Sequence, residues 1–231
     1  QVFLKAMEKK YGLHVPDRQL VCAPFRSAEG QDYYAAMACA VNMAFANRQV
    51  ILHRIREVLI EVFERSEEAL GMEQIYDVSH NTAKVESHTL DGRQRSLLVH
   101  RKGATRALPP DRAELADVFQ STGQPVIIGG SMETGSYLLT GIPSGSETFF
   151  TTAHGSGRTM SRKQAKKQFH GKTLQKEMAN RGIYVHAASF PGLAEEAGGA
   201  YKDIDAVVES AAQSGISHPV VRFLPIGNVK G

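Results

Sequence analysis

The group in this sequence best placed to do chemistry is a histidine set among small residues, in Thr151-Thr152-Ala153-His154-Gly155-Ser156-Gly157-Arg158. It follows a hydroxyl-rich, strand-like run, Thr148 to Thr152, and precedes a strongly basic segment, Arg162 to Arg181. Glycines let backbone N–H groups come close to a ligand, and the N-terminus of a following helix favours an anion. The string reads as a histidine presented to a phosphate; the plainer reading is a turn that contains a histidine. A second small-residue loop, Gly129-Gly130-Ser131-Met132-Glu133-Thr134-Gly135-Ser136, also follows a strand pattern. Loops of this kind at strand ends commonly face ligands, and two of them, one carrying His154, favour a phosphate site over two ordinary turns.

Other candidates are sparser. His80 closes Tyr76-Asp77-Val78-Ser79-His80 at a strand end, where a neutral imidazole can ligate a metal, although a lone histidine is more often a hydrogen-bonding residue. No His-x-x-x-His pair accompanies it. His100 to Arg106 is a compact basic loop whose arginines suit bidentate phosphate contacts. His14, His53, His88, His170 and His218 carry no such context and read as structural. Gly171-Lys172-Thr173 has the tail of a phosphate-binding P-loop, but Lys166 stands where the first glycine is needed, and no Gly-x-Gly-x-x-Gly follows a strand.

Composition narrows the partners. The hydrophobic share, 42%, suffices for a core, while aromatics are 7% with no Trp. The formal charge of +3 hides a local excess: eight Lys or Arg and one acid, Glu177, between Arg158 and Arg181. Arg93 to Arg112 is a second basic island. Charge so localised fits a polyanion such as nucleic acid; a solvated helix face is the alternative. Cys22 and Cys39 form no disulfide framework, Cys39 is expected in the core, and the pattern suits a reducing cytoplasm. No membrane span or signal peptide is expected. The start at Gln1, inside a helix-like pattern, reads as a fragment.

Elements must position these groups. Val2 to Tyr11 reads as a helix stopped by Gly12, Gln19 to Ala23 as a strand, and Asp32 to Arg65 as helical. The last carries an apolar face at Ile51, Ile55, Val58 and Val62, a break near Asn47-Arg48-Gln49 and a buried alanine-rich first half. Ser27 could cap it. Gln74 to Ser79 and Thr82 to Thr89 read as strands, and Asp91-Gly92 turns the chain into Arg95 to Arg101. Pro109-Pro110 opens a helix through Glu114 to Phe119. Strands follow at 125–128, 137–142, 183–188 and 220–224. Helices follow at 161–169, 173–180 and 204–212, the last capped by Asp203 or Asp205 and ended by Gly215. One mixed α+β domain is the simplest account.

Ten colinear segments carry a resemblance. They include Val15-Pro16-Asp17-Arg18-Gln19, Glu29 to Tyr33, Ala46 to Gln49, Tyr76 to Asn81, His100 to Arg106 and Gly130-Ser131-Met132. His154 to Arg158, Gly192 to Ala197, Ala200 to Asp203 and Lys230-Gly231 complete the set. The chain resembles the C-terminal half to two-thirds of the RNA-splicing ligases of the RtcB family. The resemblance implies an α+β fold of mixed, largely antiparallel sheets flanked by helices, with residues 1–231 the C-terminal portion of a single ligase domain. It implies GTP-dependent joining of RNA 3′-phosphate or 2′,3′-cyclic phosphate ends to 5′-hydroxyls, with Mn²⁺, in tRNA splicing or RNA repair. An archease-type activator is a further implied partner. His154 matches the nucleophile that becomes guanylylated, and His80 matches a manganese ligand. Asn81, Gly129, Gly130, Ser131, Met132, Ser136, Gly155, Ser156 and Gly157 match nucleotide-site positions, and Tyr201 and Lys230 guanine-site positions. Two positions depart from the family pattern: Glu133 where glycine is usual and Gly129 where proline is frequent. The family's Asp-x-x-Cys and Asn-His metal motifs are absent from this chain. It is therefore expected to be inactive alone, and an RNA- or guanine-nucleotide-binding module remains the alternative.

Overall fold

The computed structural model describes residues 2–17 and 20–230, with the side chains of residues 2–6 and Lys230 outside the description. Helices alternate with short, mostly antiparallel sheets, so the chain is α+β as expected. It divides into two units, residues 1–83 and 84–231.

In the first unit, α1 (Val2–Tyr11) ends where Gly12 adopts a left-handed φ of 61°. Helix α2 (Ala28–Phe63) starts at Ser27, whose Oγ accepts from the Gly30 N–H at 3.1 Å. It runs on through Asn47-Arg48-Gln49, where a break was expected. Arg48 stacks on Phe45 at 4.3 Å and bonds Asp77 at 2.6 Å, and Gln49 bonds Gln74, so these polar residues are held without interrupting the helix. The expectation of a buried alanine-rich half is corrected: within α2 only Gly30 is buried, and Cys39 is exposed rather than core. Ile51, Ile55, Val58 and Val62 are each at least half exposed, because nothing described covers that face. By length and mean hydropathy, 1.2 over its most apolar eighteen residues, α2 meets the composition of a membrane span, against the expectation of none.

Helix α3 (Glu67–Leu70) is one turn capped by Ser66. The expected strand at Gln74 to Ser79 is irregular. Its polar groups are tied by side chains of α2 (Gln49 to Gln74, Arg48 to Asp77), as is the Met72 carbonyl, which accepts from Arg56; no strand ladder holds it. The expected strand at Gln19 to Ala23 is likewise absent at 21–23, Leu20 lies in a 3₁₀ turn, and Arg18 and Gln19 lie outside the described residues.

The second unit begins within β1 (Asn81–Leu90), which pairs with β2 (Arg93–Lys102). Their turn has φ of 51° at Asp91 and 72° at Gly92, the double positive φ of a type I′ hairpin. Strand β3 (Ala104–Arg106) pairs antiparallel with β6 (Thr151–Ala153), with Ala104 opposite Ala153. Strands β4 (Pro125–Gly129), β5 (Ser136–Gly141) and β8 (Ser217–Phe223) form an antiparallel sheet in that order. Strand β7 (Tyr184–Ala187) runs parallel to β9 (Gly227–Lys230). Of the basic pair α4 (Arg162–Gln168) and α5 (Gly171–Asn180), the latter packs with α6 (Phe190–Glu195) around Leu174, Met178, Val185 and Leu193. Helix α7 (Ile204–Gln213) lays Ile204 and Val208 on Val126, Ile128 and Leu139. Asp203 caps it, its Oδ1 accepting from the Asp205 N–H at 2.8 Å.

Two more expectations are corrected. Pro109-Pro110 opens no α-helix; Asp111 takes a φ of 62°, and only a 3₁₀ turn forms at Asp117–Phe119. The strand-like run from Thr148 is strand only from Thr151. A 3₁₀ segment, Pro143–Thr148, precedes it, and Phe149 and Phe150 both have φ of 52°.

Candidate functional site

The antiparallel ladder to β3 fixes β6 and releases His154 at its end, with an exposed side chain. A Cβ at Gly103, just past β2, would stand 3.3 Å from His154 Nε2. Gly103 has a φ of 63°, so glycine there serves both the turn and the approach of the imidazole. Behind His154 the chain joins the other small-residue loop. The Gly129 N–H donates to the His154 carbonyl at 3.2 Å, the Ser156 N–H donates to the Gly129 carbonyl at 2.8 Å, and Gly129 and Gly155 form a parallel bridge. The two loops singled out in the sequence are therefore one surface.

The 130–135 loop closes on itself. The Gly130 N–H donates to Gly135 O at 2.8 Å, and the Ser131 N–H to Thr134 Oγ1 at 3.0 Å. Ser136 begins β5 opposite Gly129. Met132 is a core side chain, 4% exposed, leaving its backbone to the site; its carbonyl accepts from Asn228 at 3.0 Å. Glu133 turns its carboxylate to the Gly198 N–H at 2.7 Å and to Arg181 at 2.9 Å. Ser156 is buried, and its Oγ has no hydrogen-bond partner among the described residues. At Gly129 and Gly157 the space where a Cβ would stand is open.

Arg158 ties the histidine loop to Tyr201. Its guanidinium donates to Tyr201 Oη at 2.9 Å, to Glu195 O at 2.6 Å and to Met160 O at 3.1 Å, and it stacks on the Tyr201 ring at 4.8 Å. The Lys202 N–H donates to the Gly157 carbonyl at 2.9 Å. Tyr201 donates to Glu196. Burial, and then this carboxylate, push the phenol's pKa up, so it stays a neutral donor. Lys230 pairs by its backbone with Ala187; its side chain lies outside the described residues, as does all of Gly231.

His154, the two glycine loops and Tyr201 thus converge within the second unit. His80 and Asn81 belong to the first, both exposed, Asn81 as the first residue of β1. Among the described residues no three His, Cys, Asp or Glu side chains gather as a metal cluster.

A family model described as tRNA-splicing ligase RtcB matches residues 1–231. The chain belongs to the RtcB family. It is 50% identical to the tRNA-splicing ligase RtcB of Thermococcus kodakarensis over 99% of this chain and 48% of that protein. It is 50% identical to that of Pyrococcus abyssi over 99% of this chain and 25% of the relative, and 48% identical to the RNA-splicing ligase RtcB of Mycobacterium bovis over 96% and 50%. The chain spans a quarter to a half of the length of these RtcB relatives.

Sequence reasoning missed the role of Gly103, of Glu196 and of a buried cluster around Glu86, His88 and Arg101. One signal was available for the last: Glu86 and His88 are two apart in a strand and so share a face.

Proposed function

We propose that the protein carrying this chain is a GTP-dependent RNA ligase. It joins 3′-phosphate or 2′,3′-cyclic phosphate ends to 5′-hydroxyl ends through a guanylylated His154, in tRNA splicing or RNA repair. The supporting observation is His154 at the end of β6, its ring against Gly103 and its backbone hydrogen-bonded to the Gly129 loop. In this reading the neutral imidazole attacks the α-phosphorus of GTP. A P–N bond forms, the bond to pyrophosphate breaks and the ring proton is lost. A cyclic end is first opened by water, its P–O2′ bond breaking to give a 3′-phosphate. An oxygen of the RNA 3′-phosphate then takes the GMP, breaking the P–N bond, and the 5′-hydroxyl displaces GMP from the activated end.

The unpartnered Ser156 hydroxyl and the open space at Gly129 and Gly157 fit a nucleotide phosphate. Tyr201 and Lys230 would serve the guanine. Manganese belongs to the proposal with His80 as one ligand. The described residues offer no complete metal site. Lys163, Lys167, Lys172 and Lys176, which have no acidic partner among the described residues, would meet RNA phosphates. An archease-type activator and a cytoplasmic location complete the reading.

Incubating the intact protein with α-labelled GTP and Mn²⁺ tests it. Wild type takes covalent label and His154→Ala does not; equal labelling of the two refutes the assignment. A second reading is an RNA- and guanine-nucleotide-binding module. Salt-sensitive RNA binding without any adduct would be its mark.

A further inference from the structure

A buried polar cluster lies outside the site just described. Glu86, His88 and Arg101 are 9%, 5% and 2% exposed. Arg101 holds both Glu86 oxygens, at 2.8 and 2.9 Å, and His88 Nε2 lies 3.0 Å from the second of them. Burying such a pair is a poor route to stability, since desolvation offsets the attraction; what it can supply is a fixed geometry. Arg101 uses its remaining donor capacity on one place. Its Nε donates to Thr151 Oγ1 at 3.0 Å and an Nη to the Phe149 carbonyl at 2.8 Å. His88 reaches the same place, its ring edge-on to Phe149 at 5.1 Å and 6.0 Å from the Phe150 ring.

That place is the corner that feeds β6. Phe149 and Phe150 both have φ of 52°, a region bulky residues avoid, so surrounding contacts must impose it. Four residues beyond Phe150 stands His154. The segment 101–106 therefore grips 149–154 at three points: Arg101 at Phe149 and Thr151, the β3–β6 ladder at 151–153, and Gly103 beside the imidazole.

We propose that the Glu86–Arg101–His88 cluster is a positioning device for His154: it locks the Phe149–Thr151 corner and so sets where β6 delivers the imidazole. The inference rests on the reading of His154 as the nucleophile. Misplacing a reacting group by about 1 Å can cost on the order of 100-fold in rate.

The test compares Arg101→Lys and Thr151→Val with wild type in the intact protein. Lysine keeps a cation for Glu86 but cannot also reach Thr151 and Phe149. Valine leaves the Glu86–Arg101 pair in place and removes only the Thr151 hydroxyl, with its bond from Arg101 and its long contact to Phe149 O. The rate of labelling by α-labelled GTP is measured at saturation, with KM for GTP, the melting temperature, and the rate of His154 modification by diethyl pyrocarbonate read by peptide mass spectrometry.

The expected result is a fall of about 10- to 100-fold in the saturated rate for Arg101→Lys and a smaller fall for Thr151→Val, with KM unchanged. Modification of His154 should change while that of His186, an exposed histidine of β7, does not. Wild-type saturated rates and His154 reactivity in folded variants would overturn the proposal, as would a change in KM and melting alone. If Arg101→Lys does not fold, Thr151→Val decides. If wild type takes no label, the proposed reaction fails. The His154 modification rate then decides the positioning claim: a selective change upholds it and no change refutes it.

Discussion

Glu133 and Gly198 should behave as one unit. A Cβ at Gly198 would come within 2.6 Å of Glu133 Oε1 and 2.8 Å of its Cδ. Gly198→Ala must therefore push the carboxylate off the Gly198 N–H, breaking a bond of 2.7 Å. A charge-assisted hydrogen bond contributes about 1.5–3 kcal/mol. The Arg181 bond, with a half-exposed partner, adds at most about 0.2–1 kcal/mol after screening. Glu133→Ala removes both interactions and should cost about 2–4 kcal/mol, while Gly198→Ala, which breaks the first, should cost about 1.5–3 kcal/mol. The double variant should cost little more than Glu133→Ala alone, because with the carboxylate gone the nearest remaining atom to an alanine Cβ at 198 is Ser131 Oγ at 3.2 Å. Urea unfolding of wild type, both singles and the double gives a coupling of about 1.5–3 kcal/mol. Additive losses would refute the claim that Glu133 is held by the Gly198 backbone. Nucleotide affinity, measured in parallel, should fall in each single variant, since the 130–135 loop loses its tie to the segment leading to Tyr201.

Three other outcomes are expected. Gly103→Ala should lose about 1–2 kcal/mol from its left-handed φ and slow labelling of His154 besides, because the new Cβ presses on the imidazole; thermal melting and the adduct assay separate the two. At Glu86, burial raises the pKa, but hydrogen bonds from Arg101 and His88 with nearby positive charge outweigh it and hold the carboxyl below its ordinary value of 4.5. The folded state thus releases the proton more readily than the unfolded one, so its stabilisation is complete above the ordinary value and lost as pH falls through the lowered one. Glu86→Gln should flatten the acid side of a melting-temperature profile, and an unchanged slope would refute this. Asp203→Ala should cost about 1 kcal/mol in urea unfolding by removing the α7 cap.

What was legible in the sequence was local. Asp91-Gly92 marked its hairpin, Gly12 and Ser27 marked helix ends, and the small-residue strings at 129–136 and 154–157 stood out as two loops, which backbone hydrogen bonds join. What was not legible depended on partners distant in the chain. The alanines of α2 suggested burial, but burial needs a covering element, and the described residues provide none there. Gln74 to Ser79 has strand composition but is tied to helix side chains. His88 has its partner Glu86 two residues back on the same strand, but Arg101, which holds Glu86, lies across a hairpin and out of reach of any local pattern. Met132 sits in the 130–135 loop, yet its side chain belongs to the core.

The backbone of the 130–135 loop has room for a side chain at Glu133. A glycine matters where φ is positive or where another chain approaches too closely for a Cβ. Position 133 meets neither condition: its φ is not positive, and its side chain leads outward to Arg181. Gly130 and Gly135 meet one or both. A Cβ at Gly130 would lie 2.4 Å from the Gly135 carbonyl oxygen, and one at Gly135, with a φ of 89°, would lie 2.0 Å from that of Phe223. The shape of the loop therefore resides in those two glycines, while Glu133 adds a fastening to Gly198 and Arg181 that glycine at this position could not supply.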